Sequence, residues 1–202
     1  MKLILETVPT FFIEEDKILT ILFEEGLDIL HLRKPDIPSI YSERLLALIP
    51  RKYHKRIVIY EHFYLKDDFS LMGIHLDQYN PLKPYGYSGH ISCTCLSTEE
   101  VKNKKASHDY VFLNPVYDSV SHKEDRAMYT PEQLRQAARE RIIDNKVMAG
   151  GGVCLDNIPE IRDFGFGGVV IHSDLWNKFD IRRGEDYNNL IEHFKRLKKA
   201  TD

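Results

Sequence analysis

The chain has 202 residues, of which 43% are hydrophobic and 29% are charged. That length and composition predict one soluble globular domain with a substantial core, and they exclude disordered and fibrous proteins. The formal net charge of −3 provides no broad basic surface for a nucleic-acid backbone, so small anionic ligands are the expected partners.

Short apolar runs rich in β-forming residues alternate with helical patterns along the whole chain. The predicted strands are residues 2–6, 28–32, 56–60, 73–76, 90–94, 110–113, 146–149 and 168–171. The predicted helices are residues 14–25, 39–48, 63–69, 98–105, 131–143, 156–164 and 185–199. This alternation is typical of repeated βα units around a parallel sheet.

Eight such units in 202 residues predict an α/β fold, a single-domain (β/α)8 TIM barrel over residues 1–202. An open doubly wound sheet is the alternative. Pro81 and Pro84, with two nearby glycines, disfavour a helix between the fourth and fifth strands. Residues 77–89 are therefore predicted to form an irregular loop.

The second strand ends in polar residues, and the active sites of such barrels lie where the strands end. Alternation places His31 and Arg33 on the same face. Arg33 either binds an anionic group through two hydrogen bonds or pairs with an acidic neighbour. Lys34 is expected to be solvated.

Further histidines and carboxylates follow the third and fourth strands. Glu61, His62, His75 and Asp77 join His31 as a possible metal cluster, although no ligand spacing fixes its geometry. Histidines satisfied by backbone carbonyls are the alternative.

Two later loops offer anion-binding groups. The polar loop at residues 114–125 is either a closing lid that binds a pyrophosphate or heterocycle, or a solvated turn. Gly151 and Gly152 follow the seventh strand, and Ser173 ends the eighth before a short segment at residues 174–177. Loops seven and eight form the recurrent phosphate site of these barrels, so we predict phosphate binding there, with Trp176 as a packing residue.

The cysteines and the first residues bear on the compartment. Cys93, Cys95 and Cys154 have neither redox-motif nor zinc-ribbon spacing, so we expect reduced, mostly buried thiols without a role in the chemistry. Residues 1–16 lack the pattern of a signal peptide, and no apolar run approaches the roughly 18 residues of a membrane span. A cytoplasmic protein without membrane contact is expected. The sequence leaves the oligomeric state open, homo-oligomers included.

Several of these motifs, taken in order, carry a resemblance to a known family. They are His31-Leu32-Arg33, Gly73-Ile74-His75-Leu76-Asp77-Gln78, Ser92, Asn114-Pro115-Val116-Tyr117, Ser119-Val120-Ser121-His122-Lys123, Gly150-Gly151-Gly152 and Ile171-His172-Ser173. Over nearly its whole length the chain resembles the thiamine phosphate synthase/TenI family. The resemblance implies a barrel fold and a role in thiamine biosynthesis.

The family reaction couples a hydroxymethylpyrimidine pyrophosphate with a thiazole phosphate, and Mg²⁺ and basic side chains neutralise the pyrophosphate that leaves. By resemblance, Arg33 contacts the pyrophosphate and Ser92 lies near the reacting groups. The other implied substrate contacts are Ser119 and Ser121, with Lys123, in the lid, and Gly151, Gly152 and Ser173 at the thiazole phosphate.

The chain departs from the family pattern around the metal and the lid. Glu61-His62 stands where an Asn-Asp pair is usual, and Asn80 stands at the other expected aspartate. These replacements weaken the case for Mg²⁺, which prefers carboxylate and phosphate oxygens, unless Glu61 serves as the metal ligand. His122 aligns with the usual lid lysine.

Two alternatives to synthase activity follow from these departures. A TenI-type thiazole tautomerase would use His122 or His31 as its acid or base, because Pro115 stands where tautomerases carry a histidine. A non-catalytic protein that binds thiazole phosphate for regulation is the other alternative.

Overall fold

Eight parallel strands form a closed barrel in chain order in the computed structural model, which describes residues 1–118, 127–180 and 187–202. The strands are β1 Lys2–Glu6, β2 Ile29–Leu32, β3 Ile57–Ile59, β4 Gly73–Leu76, β5 His90–Cys95, β6 Tyr110–Leu113, β7 Val147–Ala149 and β8 Gly168–Ile171. Strand β1 pairs with both β2 and β8, which closes the sheet. The predicted (β/α)8 barrel is confirmed.

Helices cover the outside of the barrel. They are α1 Glu15–Glu24, α2 Ser39–Leu48, α3 Leu65–Asp68, α4 Thr98–Lys104, α5 Pro131–Arg139, α6 Ile158–Asp163, α7 Ser173–Trp176 and α8 Asn188–Thr201, with 3-10 turns at Arg51–Arg56, Lys105–Ser107 and Leu155–Asn157. Residues 77–89 form no helix, as predicted, so β4 and β5 are joined by an irregular crossover. Within the described ranges, no helix is long and apolar enough to cross a membrane.

Local sequence signals explain where two of the helices begin or end. Thr130 and Gln133 form a capping box at the start of α5, with Pro131 as the first helical residue. Gly26, at a φ of 100°, follows α1 in a backbone conformation that favours glycine. Both boundaries therefore follow from short-range chemistry.

The barrel interior is apolar over part of its depth and polar near the carboxyl ends of the strands. A small inner cluster of buried residues comprises Ile4, Ile29, Val58, Tyr110, Phe112, Met148 and Val170. Above them, His31, His75 and Ser92 are fully buried. Polar groups at that depth require hydrogen-bond partners. The partners of these three residues lie between the barrel interior and the carboxyl ends of the strands.

Candidate active site at the barrel mouth

A cavity of about 490 Å³ opens at the carboxyl ends of the strands. The strand-end side chains that line it include Glu6, Arg33, Tyr60, Asp77, Thr94 and Asn114. Because the loops after all eight strands gather at this end, it is the expected position of an active site. We call this cavity the mouth.

Arg33 lies in the mouth beside an acidic neighbour. Its Nη1 is 3.5 Å from Oε1 of Glu6, and its guanidinium carbon is 6.0 Å from the centre of the Tyr60 ring. Two hydrogen bonds tie its backbone to the hydroxyl of Thr7, at 3.0 and 3.1 Å. The side chain remains 28% exposed, so it both pairs with Glu6 and faces a prospective ligand.

Glu6 and Asp77 line the mouth, and a third carboxylate, Glu61, follows the end of β3. Oε2 of Glu61 accepts the N–H of Lys34 at 3.0 Å. Oδ1 of Asp77 accepts the N–H groups of Tyr79 and Asn80 at 2.9 and 2.8 Å. Burial raises the pKa values of Glu6 and Glu61, and the charge of Asp77 adds to both shifts. The negative charges of these side chains are therefore close enough to raise the pKa values of the two glutamates.

Glu6 is the member of this set that the sequence analysis missed. Burial raises its pKa although Arg33 lies nearby, and the Tyr60 hydroxyl donates to its Oε2 at 3.3 Å. Alternation along residues 2–6 would have revealed it, because Ile4 faces the barrel interior and residue 6 must face the same way.

A chain of hydrogen bonds runs from Glu6 into the barrel. Tyr60 Oη is 3.3 Å from Nδ1 of His31, and Nε2 of His31 is 2.7 Å from the Tyr110 hydroxyl. Ser92 is the register partner of Tyr110 on the neighbouring strand, and its hydroxyl donates to the Ile74 carbonyl at 3.4 Å. The first chain of hydrogen bonds therefore joins Glu6 to Tyr110.

A second, adjacent chain of hydrogen bonds runs back to the mouth through His75. Its Nδ1 is 2.8 Å from Ser92 Oγ, and its Nε2 is 2.8 Å from Thr94 Oγ1. One proton direction satisfies every link if His31 and His75 are neutral, each donating once and accepting once. Burial lowers the pKa of both histidines well below the ordinary value, which agrees with that arrangement.

Two residues predicted to be catalytic, His31 and Ser92, lie inside these two chains of hydrogen bonds. Both are 0% exposed, so neither side chain opens onto the mouth. They can influence a ligand only through Tyr60, Glu6 or Thr94. Direct catalytic contact by either residue stays a prediction, and the geometry favours a positioning role for both.

The expectation that Lys34 is solvated was wrong. Its ammonium donates to Glu15 at 2.6 Å and to the carbonyls of Val8 and Thr10 at 2.9 and 3.0 Å. It also lies 4.4 Å from the centre of the Phe11 ring, and both charged side chains are 1% exposed. The chain turns inward after β2, so this lysine holds the loop between β1 and α1.

The glycine-rich turn after β7 packs against the loop after β6. Gly151 and Gly152 have φ values of 75° and 66°, and a Cβ at either would collide with residues 114–118. The N–H of Leu155 donates to Asp174 in α7 at 3.2 Å, so the turn also adjoins the helix that begins at Ser173. The structure thus brings the turn after β7 and the start of α7 together, and Gly151 lies against Asn114, which lines the mouth.

The remaining predictions concern the lid, the metal and the packing residues. Ser119, Ser121, His122 and Lys123 lie outside the described residues. No group of three His, Cys, Asp or Glu side chains in residues 1–118, 127–180 and 187–202 is arranged to hold a metal ion.

Trp176 is buried, as predicted, and donates to the Glu6 carbonyl at 2.9 Å. Cys93 and Cys95 are free and buried, as expected, whereas Cys154 is half-buried.

Comparisons with known proteins agree on one family. The profile of the thiamine monophosphate synthase family matches residues 14–175. A crystal structure of thiamine phosphate pyrophosphorylase from Bacteroides thetaiotaomicron is 61% identical, with a TM-score of 0.93 over 100% of this chain and 98% of that one. Thiamine-phosphate synthases from Methanobrevibacter smithii and Klebsiella pneumoniae are 24% and 26% identical, each covering at least 82% of both chains.

Proposed function

The chain belongs to the thiamine monophosphate synthase family, and on that premise we propose that its mouth joins a hydroxymethylpyrimidine pyrophosphate to a thiazole phosphate. The products are thiamine phosphate and pyrophosphate. The observation that carries the proposal is the cavity in which Arg33 meets carboxylates from neighbouring strand ends.

Arg33 is the group proposed to contact the pyrophosphate. Its guanidinium is partly exposed in the mouth, and its backbone is fixed by Thr7. In this proposal a pyrophosphate oxygen displaces Glu6 from the guanidinium, because a planar guanidinium binds phosphate through paired hydrogen bonds. Departure of the pyrophosphate breaks its C–O bond and leaves positive charge on the pyrimidine, which the mouth carboxylates stabilise. The thiazole nitrogen then attacks the carbon that carried the pyrophosphate, and the new C–N bond completes thiamine phosphate.

Glu61 and Asp77 are the proposed Mg²⁺ ligands. They follow β3 and β4, which are paired neighbours in the sheet. Each carboxylate is oriented by backbone N–H groups on one of its oxygens. Mg²⁺ prefers hard oxygen ligands, so two carboxylates together with phosphate oxygens of the substrate are a suitable ligand set. When bound, the ion would neutralise negative charge on the pyrophosphate.

The thiazole phosphate is proposed to bind at Gly151, Gly152 and Ser173. The positive φ values of the two glycines turn the chain sharply after β7, and the contact between Leu155 and Asp174 holds that turn against α7. Backbone N–H groups of such turns bind phosphate in many barrels. By the family resemblance, Ser119, Ser121 and Lys123 are proposed to contact the substrates.

A second candidate function is tautomerisation of a thiazole carboxylate phosphate. The observation that favours it is the raised pKa of Glu6, whose carboxyl lies in the mouth and accepts a hydrogen bond from Tyr60. A carboxyl whose pKa is raised is a suitable proton-transfer group. His122 is the other candidate acid or base for this reaction.

Pyrophosphate release from both synthase substrates, with Mg²⁺ and with a chelator, tests the proposal. Mg²⁺-dependent release is expected, and Arg33→Ala should lower kcat/KM by about ten- to a hundredfold through lost charge-assisted hydrogen bonds. The matched control is Arg51→Ala, an exposed arginine at the opposite end of the barrel, which should leave the rate unchanged.

Other outcomes reject the synthase proposal. Turnover of the thiazole carboxylate phosphate alone, insensitive to chelator, would assign the tautomerase function. Thiazole phosphate binding by calorimetry without either turnover would assign a binding protein.

A further inference from the structure

Three consecutive backbone N–H groups follow β7 without a hydrogen-bond partner. They belong to Gly151, Gly152 and Val153, and none of them donates to another group within the described ranges. We call these three residues the donor turn. Val153 is 4% exposed, and the N–H groups of buried residues are almost always paired with protein, water or a ligand. The donor turn therefore has room for an acceptor that the described residues do not supply.

The carbonyl groups of this segment fix the direction of the N–H groups. The carbonyl of Gly150 accepts the N–H of Val116 at 2.8 Å, and that of Gly151 accepts the N–H of Tyr117 at 3.1 Å. Because a trans peptide is planar, the C=O of one residue and the N–H of the next point in opposite directions. The N–H groups of Gly151 and Gly152 therefore point away from the loop after β6.

The next two N–H groups along the chain already have partners. Cys154 donates to Oδ1 of Asn157 at 3.0 Å, and the side-chain nitrogen of Asn157 donates in turn to the Gly152 carbonyl at 3.0 Å. Leu155 donates to Oδ2 of Asp174, in α7, at 3.2 Å. A carboxylate therefore ends this run of donors.

A histidine of α8 holds that carboxylate in place. Nε2 of His193 is 2.7 Å from the same Oδ2 of Asp174. The two side chains are 9% and 12% exposed, so solvent has little access to the contact. Helix α8 also packs against α7 and against the turn at Leu155–Asn157. Because Oδ2 is shared by His193 and the N–H of Leu155, the carboxylate is fixed in one orientation.

The position of this carboxylate matters because a phosphate is an anion. Asp174 directly follows Ser173 in α7, so its negative charge lies close to the proposed phosphate site. Like charges repel more strongly where water has little access. A carboxylate turned toward the donor turn would also accept the N–H groups that a phosphate needs. A group that holds Asp174 on Leu155 therefore favours phosphate binding.

We propose that His193 is a positioning residue for the thiazole phosphate, because it holds the Asp174 carboxylate on Leu155 and away from the donor turn. His193 acts through Asp174 and makes no contact with the substrate. The inference rests on the proposed function, since it concerns the same phosphate site, and it adds a contribution of α8 to that site.

Calorimetry with thiazole phosphate, in the parent protein and in two His193 variants, tests this role. In His193→Leu the dissociation constant should rise by about fivefold or more, because the carboxylate loses a hydrogen bond that holds it. In His193→Gln it should stay within about twofold of the parent value, because the amide N–H can still donate to Asp174. In turnover with both substrates, His193→Leu should raise KM for thiazole phosphate, whereas kcat and KM for the pyrimidine pyrophosphate should not change.

Two further variants separate the effect of the charge from that of packing. Addition of Asp174→Asn to His193→Leu should restore most of the lost affinity, because an amide oxygen still accepts from Leu155 and the side chain carries no charge. Leu197→Ala removes a buried side chain one turn further along α8. It should lower the urea midpoint and leave the dissociation constant unchanged.

The outcomes distinguish this inference from the proposed function. If the parent protein binds no thiazole phosphate, the proposed phosphate site is wrong, and so is this inference. If the parent binds it and His193→Leu binds it equally well, only the role of His193 is overturned. Equal weakening in His193→Leu and His193→Gln, or in Leu197→Ala, would also overturn that role, because the packing of α8 would then be the cause.

Discussion

At the residue scale, Lys34 and Glu15 form the most deeply buried ion pair among the described residues, with both side chains 1% exposed. The pKa of Glu15 is raised to about 7 by burial, against the attraction of Lys34, and burial lowers the pKa of Lys34. Oε2 of Glu15 is buried without a hydrogen-bond partner. The pair joins the start of α1 to the end of β2 and thereby supports the loop behind Glu6.

Removal of only one partner of this pair should be strongly destabilising. Lys34→Met leaves the Glu15 carboxylate unpaired, and we expect the free energy of unfolding in urea to fall by about 3–5 kcal/mol. The double variant Lys34→Met with Glu15→Leu should recover most of that loss, because no buried charge remains. If the single and double variants lost the same free energy of unfolding, the unpaired charge of Glu15 would not be the cause of the loss.

At the scale of an element, two adjacent chains of hydrogen bonds between β2 and β6 stand where the interior of a small barrel is usually apolar. Their two histidines bond side-chain hydroxyls, whereas the sequence alternatives were metal ligation and backbone carbonyls. In the described part of the molecule, the buried side-chain atoms without partners are Glu15 Oε2 and His90 Nε2, so both histidines have their hydrogen bonds satisfied. Such a network holds Tyr60 and Thr94 in fixed positions at the mouth.

This network predicts that acid destabilises the fold. The folded-state pKa values of His31 and His75 lie well below the ordinary value near 6.5, so their stabilising effect is complete above that pH. As the pH falls below 6.5, the two histidines become protonated in the unfolded chain but stay neutral in the folded protein. Each histidine therefore lowers the free energy of unfolding by about 1.4 kcal/mol per pH unit.

Urea unfolding between pH 7.5 and 5 measures this slope. His75→Asn should reduce the slope by one histidine's contribution, because it removes one of the two buried histidines whose pKa is lowered. An identical slope in the parent and His75→Asn would contradict the assignment of neutral buried histidines.

At the scale of the whole molecule, the barrel was predictable from the sequence and much of its mouth was not. All eight strands appear within two residues of their predicted bounds. Short apolar runs rich in β-forming residues, bounded by helical segments, are compatible with few structures other than buried strands. Helix α5 ends at Arg139, short of the expected residue 143, and α3 is confined to Leu65–Asp68. Helix ends depend on tertiary packing more than strand cores do.

The mouth depends on side-chain directions that spacing alone does not determine. Arg33 could be placed from alternation along β2, but the burial of Lys34 depends on α1, which lies 19 residues away in sequence at Glu15. The network through Tyr60, Tyr110 and Thr94 likewise joins residues that only barrel closure brings together.

The most direct test of the account measures the rate of pyrophosphate release as a function of Mg²⁺ concentration, in the parent protein and in Glu61→Gln. The parent should turn over only with Mg²⁺, and Glu61→Gln should need at least about tenfold more Mg²⁺ for half-maximal rate. Glu24→Gln, an exposed glutamate at the far end of α1, should match the parent. Absence of release from the parent, or an unchanged Mg²⁺ requirement in Glu61→Gln, would contradict the proposed synthase site.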